Sequence, residues 1–257
     1  MEVRLVSVSN NVLVIDAGNT SVKWTAFEND SIVWNKRELH LESRSTLLGD
    51  SEYTSFQPDR LYFASVRGEA DSQVLLAVVK AFYPNVEIYP LRSRKEACGV
   101  TNPYVEPERL GIDRWLNVLA ISELLSGGIV VVDVGTALKV EFIEKNGQYK
   151  GGYIVPGFEM MVDALVVNTG KIRIDSSDLY DSQGLIDNTG LAVHIGCWQM
   201  LLALVERVYR QNLEKSFVFT GGNGLKIMQE LQIKGNYHAN LVALGAKRLG
   251  DELVGQK

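Results

Sequence analysis

The sequence predicts an α/β fold with a duplicated core, and three observations support this prediction. Apolar runs of strand length alternate with segments that have apolar residues at helical spacing, as in α/β proteins. Residues 12–27 have the pattern of a strand, a turn and a second strand, and a near copy lies at 129–143. Further helices and strands follow each copy. We therefore expect two tandem domains, residues 1–113 and residues 114–257.

Each element of the first half has its own signal. After the first hairpin, the predicted elements are a strand at 31–35, a short helix around 41–52, a strand at 61–66, a helix over 71–82, a strand at 86–89, a loop over 92–108 and a helix over 110–125. Asp71 or Ser72 is the expected cap of the helix over 71–82, and Pro84 is its expected stop. Gly127 and Gly128 are expected to end the last helix of this half.

The second half repeats the plan from residue 129 onward. Its predicted elements are a hairpin with a turn at 145–147, a strand over 151–155 that enters a glycine-rich turn, helices over 158–167 and 191–209, a strand at 217–219, and helices near 225–232 and 241–254. The helix over 191–209 has a broad apolar stripe, with Trp198 and Leu202 among its members. No linker-like segment separates the halves, so we expect them to pack around a cleft.

Composition excludes several classes of function. The chain has 257 residues, 46% of them apolar, and a net charge of -5 with a pI near 5.4, which gives no electrostatic reason to expect nucleic-acid or membrane partners. Its two cysteines, Cys98 and Cys197, do not have a metal-binding spacing and fit reduced thiols. The first six residues do not resemble a signal peptide, and no apolar run approaches the roughly 20 residues of a membrane span. We expect a cytoplasmic protein.

The turn of the first hairpin suits phosphate binding. Gly18 allows close approach of the backbone to a ligand, and successive N–H groups in such a turn can form an anion nest. Thr20 adds a hydroxyl and Lys23 a positive charge, while Asp16 can hold Mg²⁺ directly or through water. The alternative is an ordinary hairpin turn that needs Gly-Asn. A helical P-loop is excluded, because its Gly-X4-Gly-Lys-Ser/Thr run is missing from the sequence.

The copy strengthens the phosphate interpretation. With one residue deleted from the turn, Asp133, Gly135, Thr136 and Lys139 align with Asp16, Gly18, Thr20 and Lys23. Two such hairpins resemble the plan of the acetate kinase, sugar kinase, Hsp70 and actin superfamily. That resemblance implies two actin-like (ribonuclease H-like) domains whose turns hold nucleotide phosphates across an interdomain cleft. The turn at residues 220–222 resembles the glycine turn that flanks adenosine in those proteins.

The most specific block is Asn102-Pro103-Tyr104 followed by Gly111-Ile112-Asp113-Arg114. Together with both hairpins, the glycines at 151–152 and 157, and Thr189, it resembles type III pantothenate kinase over nearly the whole chain. The resemblance implies transfer of phosphate from ATP to the hydroxyl of pantothenate, the first step towards coenzyme A. Direct in-line transfer with Mg²⁺ on the ATP phosphates is expected.

The resemblance also implies roles for individual residues. The implied ATP-binding residues are Asp16, Ala17, Gly18, Asn19, Thr20, Ser21, Val22, Lys23 and Thr136. The implied pantothenate-binding residues are Tyr104, Gly111, Ile112, Asp113, Arg114 and Thr189. Asp113 would be the general base, and Arg114 would bind a carboxylate or phosphate. Asp133 would bind a monovalent cation, K⁺ or NH₄⁺. Thr189 would reach pantothenate across a homodimer interface. Without the resemblance, Asp113 and Arg114 could be an ion pair on a solvated helix start.

Two positions depart from the family pattern. The family usually has threonine and aspartate where this chain has Lys139 and Glu141. One hypothesis is that the Lys139 ammonium replaces the monovalent cation, at least in part. A second is that Lys139 points away from the site and pairs with Glu141 or solvent. A third is that the second phosphate site is impaired.

Two other functions remain open at this point. One is a kinase of the same superfamily with a different alcohol or carboxylate as substrate, which would not be expected to share the block at residues 102–115. The other is a non-catalytic accessory or regulatory protein, which a basic face or an additional DNA-binding domain would favour. Neither is visible in the sequence, and Asp16, Asp113 and Asp133 favour catalysis.

Overall fold

The computed structural model describes residues 10–39, 55–122, 127–175, 178 and 184–255. The helix expected around 41–52 lies outside these residues. The chain divides into two compact units: one is Met1–Leu124 together with Asn240–Lys257, and the other is Leu125–Ala239. The boundary expected from the sequence was after residue 113, with the last helix in the second domain. The structure instead places that last helix in the first unit.

The first unit contains a five-stranded mixed sheet. Its strands are β1 (Asn11–Ala17), β2 (Ser21–Glu28), β3 (Ser31–Leu39), β4 (Arg60–Ser65) and β5 (Glu87–Pro90), in the order β3-β2-β1-β4-β5. Strands β1, β2 and β3 are antiparallel neighbours, and β4 and β5 run parallel to β1. The central strand β1 has a continuous apolar run, Val12–Ile15, which is fully buried. A run of this kind is typical of a strand that is covered on both faces.

The second unit has a sheet of the same topology. A small hairpin of the first unit, β6 (Glu96–Ala97) and β7 (Val100–Thr101), precedes it in the chain. The strands of the second sheet are β8 (Ile129–Val134), β9 (Ala137–Ile143), β10 (Tyr149–Pro156), β11 (Ser216–Thr220) and β12 (Gly235–Tyr237), in the order β10-β9-β8-β11-β12. Again the first three are antiparallel, and the last two run parallel to the first strand. The predicted duplication is confirmed.

Six α-helices complete the described part of the chain. They are α1 (Glu69–Phe82), α2 (Ile112–Ile121), α3 (Phe158–Asn168), α4 (Thr189–Arg210), α5 (Gly224–Glu230) and α6 (Leu241–Gly255), with a short 3-10 helix at Pro107–Arg109. In the second unit, Leu201, Val205 and Val208 of α4 join the buried side chains of β8 and β11 in one core. Among the described residues, α4 is the helix that could cross a membrane by length and composition, but 39% of its apolar window is buried, and core helices pass the same test.

The pairing of α2 with α6 explains why the last helix belongs to the first unit. A Cβ at Gly245 would lie 1.9 Å from the carbonyl oxygen of Leu116, so the two helix backbones touch at a point that only glycine can occupy. At the end of α2, Arg248 Nη1 donates to the Leu119 carbonyl and to Ser122 Oγ, both at 2.8 Å. These bonds satisfy a backbone carbonyl that the end of a helix leaves without an intrahelical partner.

A polar network also holds α6 in the first unit. Tyr62 of β4 donates to Asp251 at 2.7 Å, and the buried Lys247 ammonium contacts Asp251 at 2.5 Å and Asp30 at 3.3 Å. Burial, together with Asp251, raises the pKa of the Tyr62 hydroxyl above its usual value. The C-terminal helix is therefore tied to the first sheet by charge as well as by packing.

Some predicted element ends differ from the structure. Helix α1 begins at Glu69 after Gly68, so Asp71 and Ser72 lie inside its first turn and neither is the cap. The Ser72 hydroxyl instead donates to Ser65 Oγ at 2.9 Å, which joins the helix to the end of β4. The expected loop over 92–108 contains β6, β7 and the 3-10 helix. Strand β12 was not predicted, because three residues are too few to show a pattern.

Candidate active site

The first phosphate turn joins β1 to β2. Its closure comes from the Gly18 N–H, which donates to the Ser21 carbonyl at 3.0 Å. Asp16 and Lys23 face each other as cross-strand partners, and both are half-buried. The residues Asp16 and Lys23 therefore lie on neighbouring strands, close to the turn.

The residues predicted to bind ATP in this turn divide into two groups. Ala17 and Val22 are buried in the core, so only their backbones are available to a ligand. Asn19 is exposed and Thr20 is half-buried. Ser21 Oγ accepts a hydrogen bond from Arg37 Nε at 3.0 Å, which ties the turn to β3. An anion would therefore meet mainly backbone N–H groups and the polar side chains at the tip.

The second turn, between β8 and β9, is one residue shorter. Here the Gly135 N–H donates to the Ala137 carbonyl at 3.1 Å, and Thr136 is exposed at the tip. The Gly157 N–H donates to the Thr136 carbonyl at 2.9 Å. This bond ties the glycine-rich end of β10 to the turn, which explains why the sequence has Pro156-Gly157 there.

Asp133 lies at the base of the second turn and is almost completely buried. Its Oδ2 is 2.8 Å from Lys139 Nζ, and the side chains are 9% and 12% exposed, respectively. Gly221 has a φ of +82°, and a Cβ there would lie 2.7 Å from Asp133 Oδ1. The glycine turn after β11 thus packs directly on this carboxylate. The part of the second hypothesis in which Lys139 points away from the site is wrong, because its ammonium pairs with Asp133.

The predicted pantothenate block lies in the first unit, at the start of α2. Gly111 is the N-cap and Ile112 is buried in the core. Asp113 is half-buried in the first turn of the helix, and its Oδ1 accepts the Arg114 N–H at 2.9 Å. The N-terminal end of a helix favours a negative charge. The helix start thus places the Asp113 carboxylate where its negative charge is favoured.

Arg114 does not lie on a solvated face. Its residue exposure is 7%, and its Nη1 donates to the Tyr104 hydroxyl at 3.0 Å. The structure therefore brings Tyr104, Asp113 and Arg114 together, although the tyrosine and the arginine are ten positions apart in the sequence. This contradicts the alternative in which the two residues lie on a solvated helix start, since Arg114 is buried.

Asn102 is a positioning residue to which the sequence analysis assigned no role of its own. It is fully buried, its Oδ1 accepts the Tyr104 N–H at 3.0 Å, and its Nδ2 donates to the Pro107 carbonyl at 3.1 Å. Lys95 Nζ donates to the Asn102 carbonyl at 3.0 Å. The Asn-Pro pair was the available signal, because asparagine side chains commonly bond the backbone two residues further on. Asn102 fixes the loop that carries Tyr104.

Thr189 lies in the second unit, as the first residue of α4, and it is exposed. The preceding Asn188 caps the helix, and its Oδ1 accepts the Leu191 N–H at 2.8 Å.

In the described residues, no group of three His, Cys, Asp or Glu side chains could hold a metal ion. Burial raises the pKa of the Cys197 thiol, which fits the inert role expected for this cysteine.

Comparison with known proteins identifies the family. The family model for type III pantothenate kinase matches residues 12–211. The chain belongs to the type III pantothenate kinase family. A type III pantothenate kinase from Marinomonas sp. (strain MWYL1) is 45% identical over 248 residues, which cover 96% of this chain and 97% of the relative. Another, from Nitrosomonas eutropha, is 32% identical and covers 93% of this chain and 94% of the relative.

Solved structures of lower identity share the fold. A Campylobacter jejuni protein named as a Baf family transcriptional activator has a TM-score of 0.56 at 19% identity, and the match covers 95% of this chain and 99% of the other. The activator of the 2-hydroxyisocaproyl-CoA dehydratase from Clostridium difficile has a TM-score of 0.53 at 11% identity, with 96% and 97% covered. The predicted actin-like fold is thus confirmed for this pantothenate kinase family member.

Proposed function

We propose that this protein transfers the γ-phosphoryl group of ATP to the hydroxyl of pantothenate and releases 4'-phosphopantothenate and ADP. The observation that carries this proposal is the start of α2, where Asp113, the buried Arg114 and Tyr104 lie together in a chain of the type III pantothenate kinase family. The reaction belongs to the first step of coenzyme A biosynthesis. We expect it to take place in the cytoplasm.

Asp113 acts on the acceptor hydroxyl. Its carboxylate accepts the hydroxyl proton while the oxygen attacks the γ-phosphorus, the bond to the β–γ bridging oxygen breaks, and ADP leaves. Arg114 and Tyr104 bind the carboxylate of pantothenate or the oxygens of the transferred group, since a guanidinium matches either geometry. Gly111 and Ile112 form the adjoining wall of the pocket. Catalysis then rests on positioning and electrostatics, without a covalent intermediate.

The two turns supply the ATP-binding groups. Residues 16–23 and Thr136 offer backbone N–H groups, hydroxyls and the Lys23 ammonium to the phosphates. A half-buried carboxylate at a strand end fits Mg²⁺ held through water, and Asp16 is such a group. Bound Mg²⁺ would neutralise charge on the ATP phosphates.

A direct assay tests this function. We expect ADP release that depends on pantothenate as the only acceptor, and that acetate or glucose does not replace it. Turnover with another alcohol or carboxylate, but not with pantothenate, would indicate a different kinase of the same superfamily. ATP binding without turnover on any acceptor would favour an accessory or regulatory protein.

The protein forms a homodimer in this proposal, and a second copy of the chain covers the apolar surface of the second unit. Helix α3 is rich in apolar residues, yet the structure, which describes the whole helix, fully buries none of them, and Phe158 and Met161 pack only partly against the core. Val167 at its end is 79% exposed, and Met200 on α4 is 65% exposed. Exposed apolar surfaces of this kind mark interfaces. Thr189 is exposed on the same helix α4, in keeping with a partner subunit whose pantothenate pocket it completes.

Charges on this surface should break the dimer. In sedimentation, we expect wild type at twice the chain mass of 28.5 kDa and the Val167→Glu, Met200→Glu double variant at the mass of one chain. The double variant should also lose pantothenate-dependent turnover. Leu213→Glu, at an exposed apolar position beyond α4, is the matched control and should remain dimeric and active. A wild-type monomer at assay concentration would contradict the proposal.

A further inference from the structure

The carboxylate of Asp133 already has a positive partner from the protein itself. Lys139 Nζ lies 2.8 Å from Asp133 Oδ2, and both side chains are nearly buried. The pair is also fixed by the backbone, because Asp133 and Lys139 are direct cross-strand partners of β8 and β9. Side chains opposite each other in an antiparallel pair are close neighbours. The lysine is therefore held beside the acid by the sheet.

This arrangement does not fit the monovalent cation that the family resemblance implies at Asp133. Such an ion needs oxygen ligands in a place without a positive charge, and here an ammonium contacts one of the two carboxylate oxygens. Close to the other oxygen, Asp133 Oδ1, a Cβ at Gly221 would lie 2.7 Å away, so the glycine turn packs tightly on that side. A second cation beside a buried ammonium is repelled more strongly than it would be in water.

The second departure from the family pattern is also satisfied from within the sheet. Glu141 is 1% exposed, and its Oε2 accepts the Tyr149 hydroxyl at 2.5 Å. It lies two residues after Lys139 on β9, hence on the same face. A buried carboxylate needs a hydrogen-bond donor, and Tyr149 supplies one. Lys139 and Glu141 thus lie on one face of β9, and each has a polar partner within the sheet.

The first half of the chain shows that this register accommodates a lysine. Asp16 and Lys23 are cross-strand partners in β1 and β2, as Asp133 and Lys139 are in β8 and β9. The two sheets have the same strand order. Lysine at 139 therefore lies opposite the acid of the second hairpin, at the register position that Lys23 has in the first.

We propose that the Lys139 ammonium takes the place of the monovalent cation, so that this enzyme phosphorylates pantothenate without potassium or ammonium ions. The proposal rests on the proposed function. The ammonium supplies a fixed positive charge at the base of the second phosphate turn. The ammonium is covalently attached to the chain, whereas a diffusible ion would have to bind from solution.

The wild-type protein tests the proposal first. After removal of potassium and ammonium, turnover with pantothenate and MgATP in choline chloride should be within about twofold of turnover in potassium chloride. The melting temperature should also be the same in both salts at equal ionic strength, since an ion that binds the folded state would raise it. A potassium requirement, or a rise in melting temperature with potassium, would overturn the proposal.

Removal of the ammonium should create the requirement that wild type lacks. Lys139→Ala in choline chloride should turn over about 100-fold more slowly than wild type. Potassium, ammonium or methylammonium chloride should restore part of the activity and raise the melting temperature of this variant only. Lys150→Ala, an exposed lysine of the same sheet, is the matched control and should behave as wild type.

The remaining outcomes are also decisive. A Lys139→Ala variant whose turnover equals that of wild type with and without potassium would show that the Lys139 ammonium does not replace a monovalent cation. If Lys139→Ala does not fold, the same measurements on Lys139→Thr, together with the turnover and melting temperature of wild type in the two salts, test the proposal. If wild type releases no ADP in any salt, pantothenate phosphorylation fails, while the melting temperatures still report whether potassium binds.

Discussion

Replacement of Asp113 by asparagine is expected to lower turnover about 10²–10⁴-fold, the usual contribution of a general base. Asparagine keeps the size of the side chain and an oxygen that can accept the Arg114 N–H, the contact that Asp113 Oδ1 makes at 2.9 Å. It loses the basicity needed to take the proton of the acceptor hydroxyl. The variant should therefore fold and bind both substrates while the chemical step becomes slow.

Measurements of kcat, KM and melting temperature separate a slower chemical step from weaker binding or folding. We expect a large fall in kcat, little change in the KM for ATP, and a melting temperature within a few degrees of wild type. Glu108→Gln, which removes an exposed acid from the adjacent 3-10 helix, is the matched control and should keep wild-type kcat. Turnover by Asp113→Asn within about threefold of wild type would remove Asp113 from the chemistry.

The duplicated sheets could be predicted because their central hairpins carry strong local signals. The runs that became β1 and β8 are continuous and apolar, as expected of strands covered on both faces. An acid at the end of each run and a glycine turn after it then fix where the polar groups gather. The alignment of Asp16 with Asp133 and Lys23 with Lys139 agrees with the equal register that the two hairpins have in the structure.

The surroundings of the site could not be predicted in the same way. The contact of Arg114 with Tyr104 depends on the path of the loop between them, which the buried Asn102 side chain determines. Local periodicity contains no information about such a path. Likewise, Lys139 could face Asp133 or turn away from it, because reach and burial decide this, and the sequence pattern shows neither.

The helix that packs against α2 could not be predicted from the sequence either. Periodicity shows that a helix is amphipathic, but not which distant segment covers it, so α6 was placed in the wrong half of the fold. Gly245 was the available clue. A glycine inside a helix lowers stability by about 1 kcal/mol relative to alanine, so its presence suggests that packing requires it. The structure shows that requirement in the contact with Leu116.

Gly245→Ala should therefore destabilise the protein, although helix propensity alone predicts the opposite. The added Cβ would lie 1.9 Å from the Leu116 carbonyl oxygen and 2.6 Å from its carbon, and these are backbone atoms that cannot rotate away. Overpacking costs about 1–3 kcal/mol, and a clash with rigid backbone atoms places this case near the upper value, about 3 kcal/mol, which exceeds the gain of about 1 kcal/mol from propensity. We expect a net loss of about 2 kcal/mol in the free energy of unfolding by denaturant.

The same substitution should also lower activity, because α2 begins with the residues proposed to bind and activate pantothenate. A shift of about 1 Å in a reacting group can cost up to 100-fold in rate, so kcat should fall even in conditions where the variant is fully folded. Gly255→Ala is the control within α6, since a Cβ there meets no described atom within 4 Å. It should leave stability and kcat unchanged. If Gly245→Ala were as stable as Gly255→Ala, the contact between α2 and α6 would not be the reason for the glycine. The position of Asp113 would then have to depend on the loop that Asn102 holds.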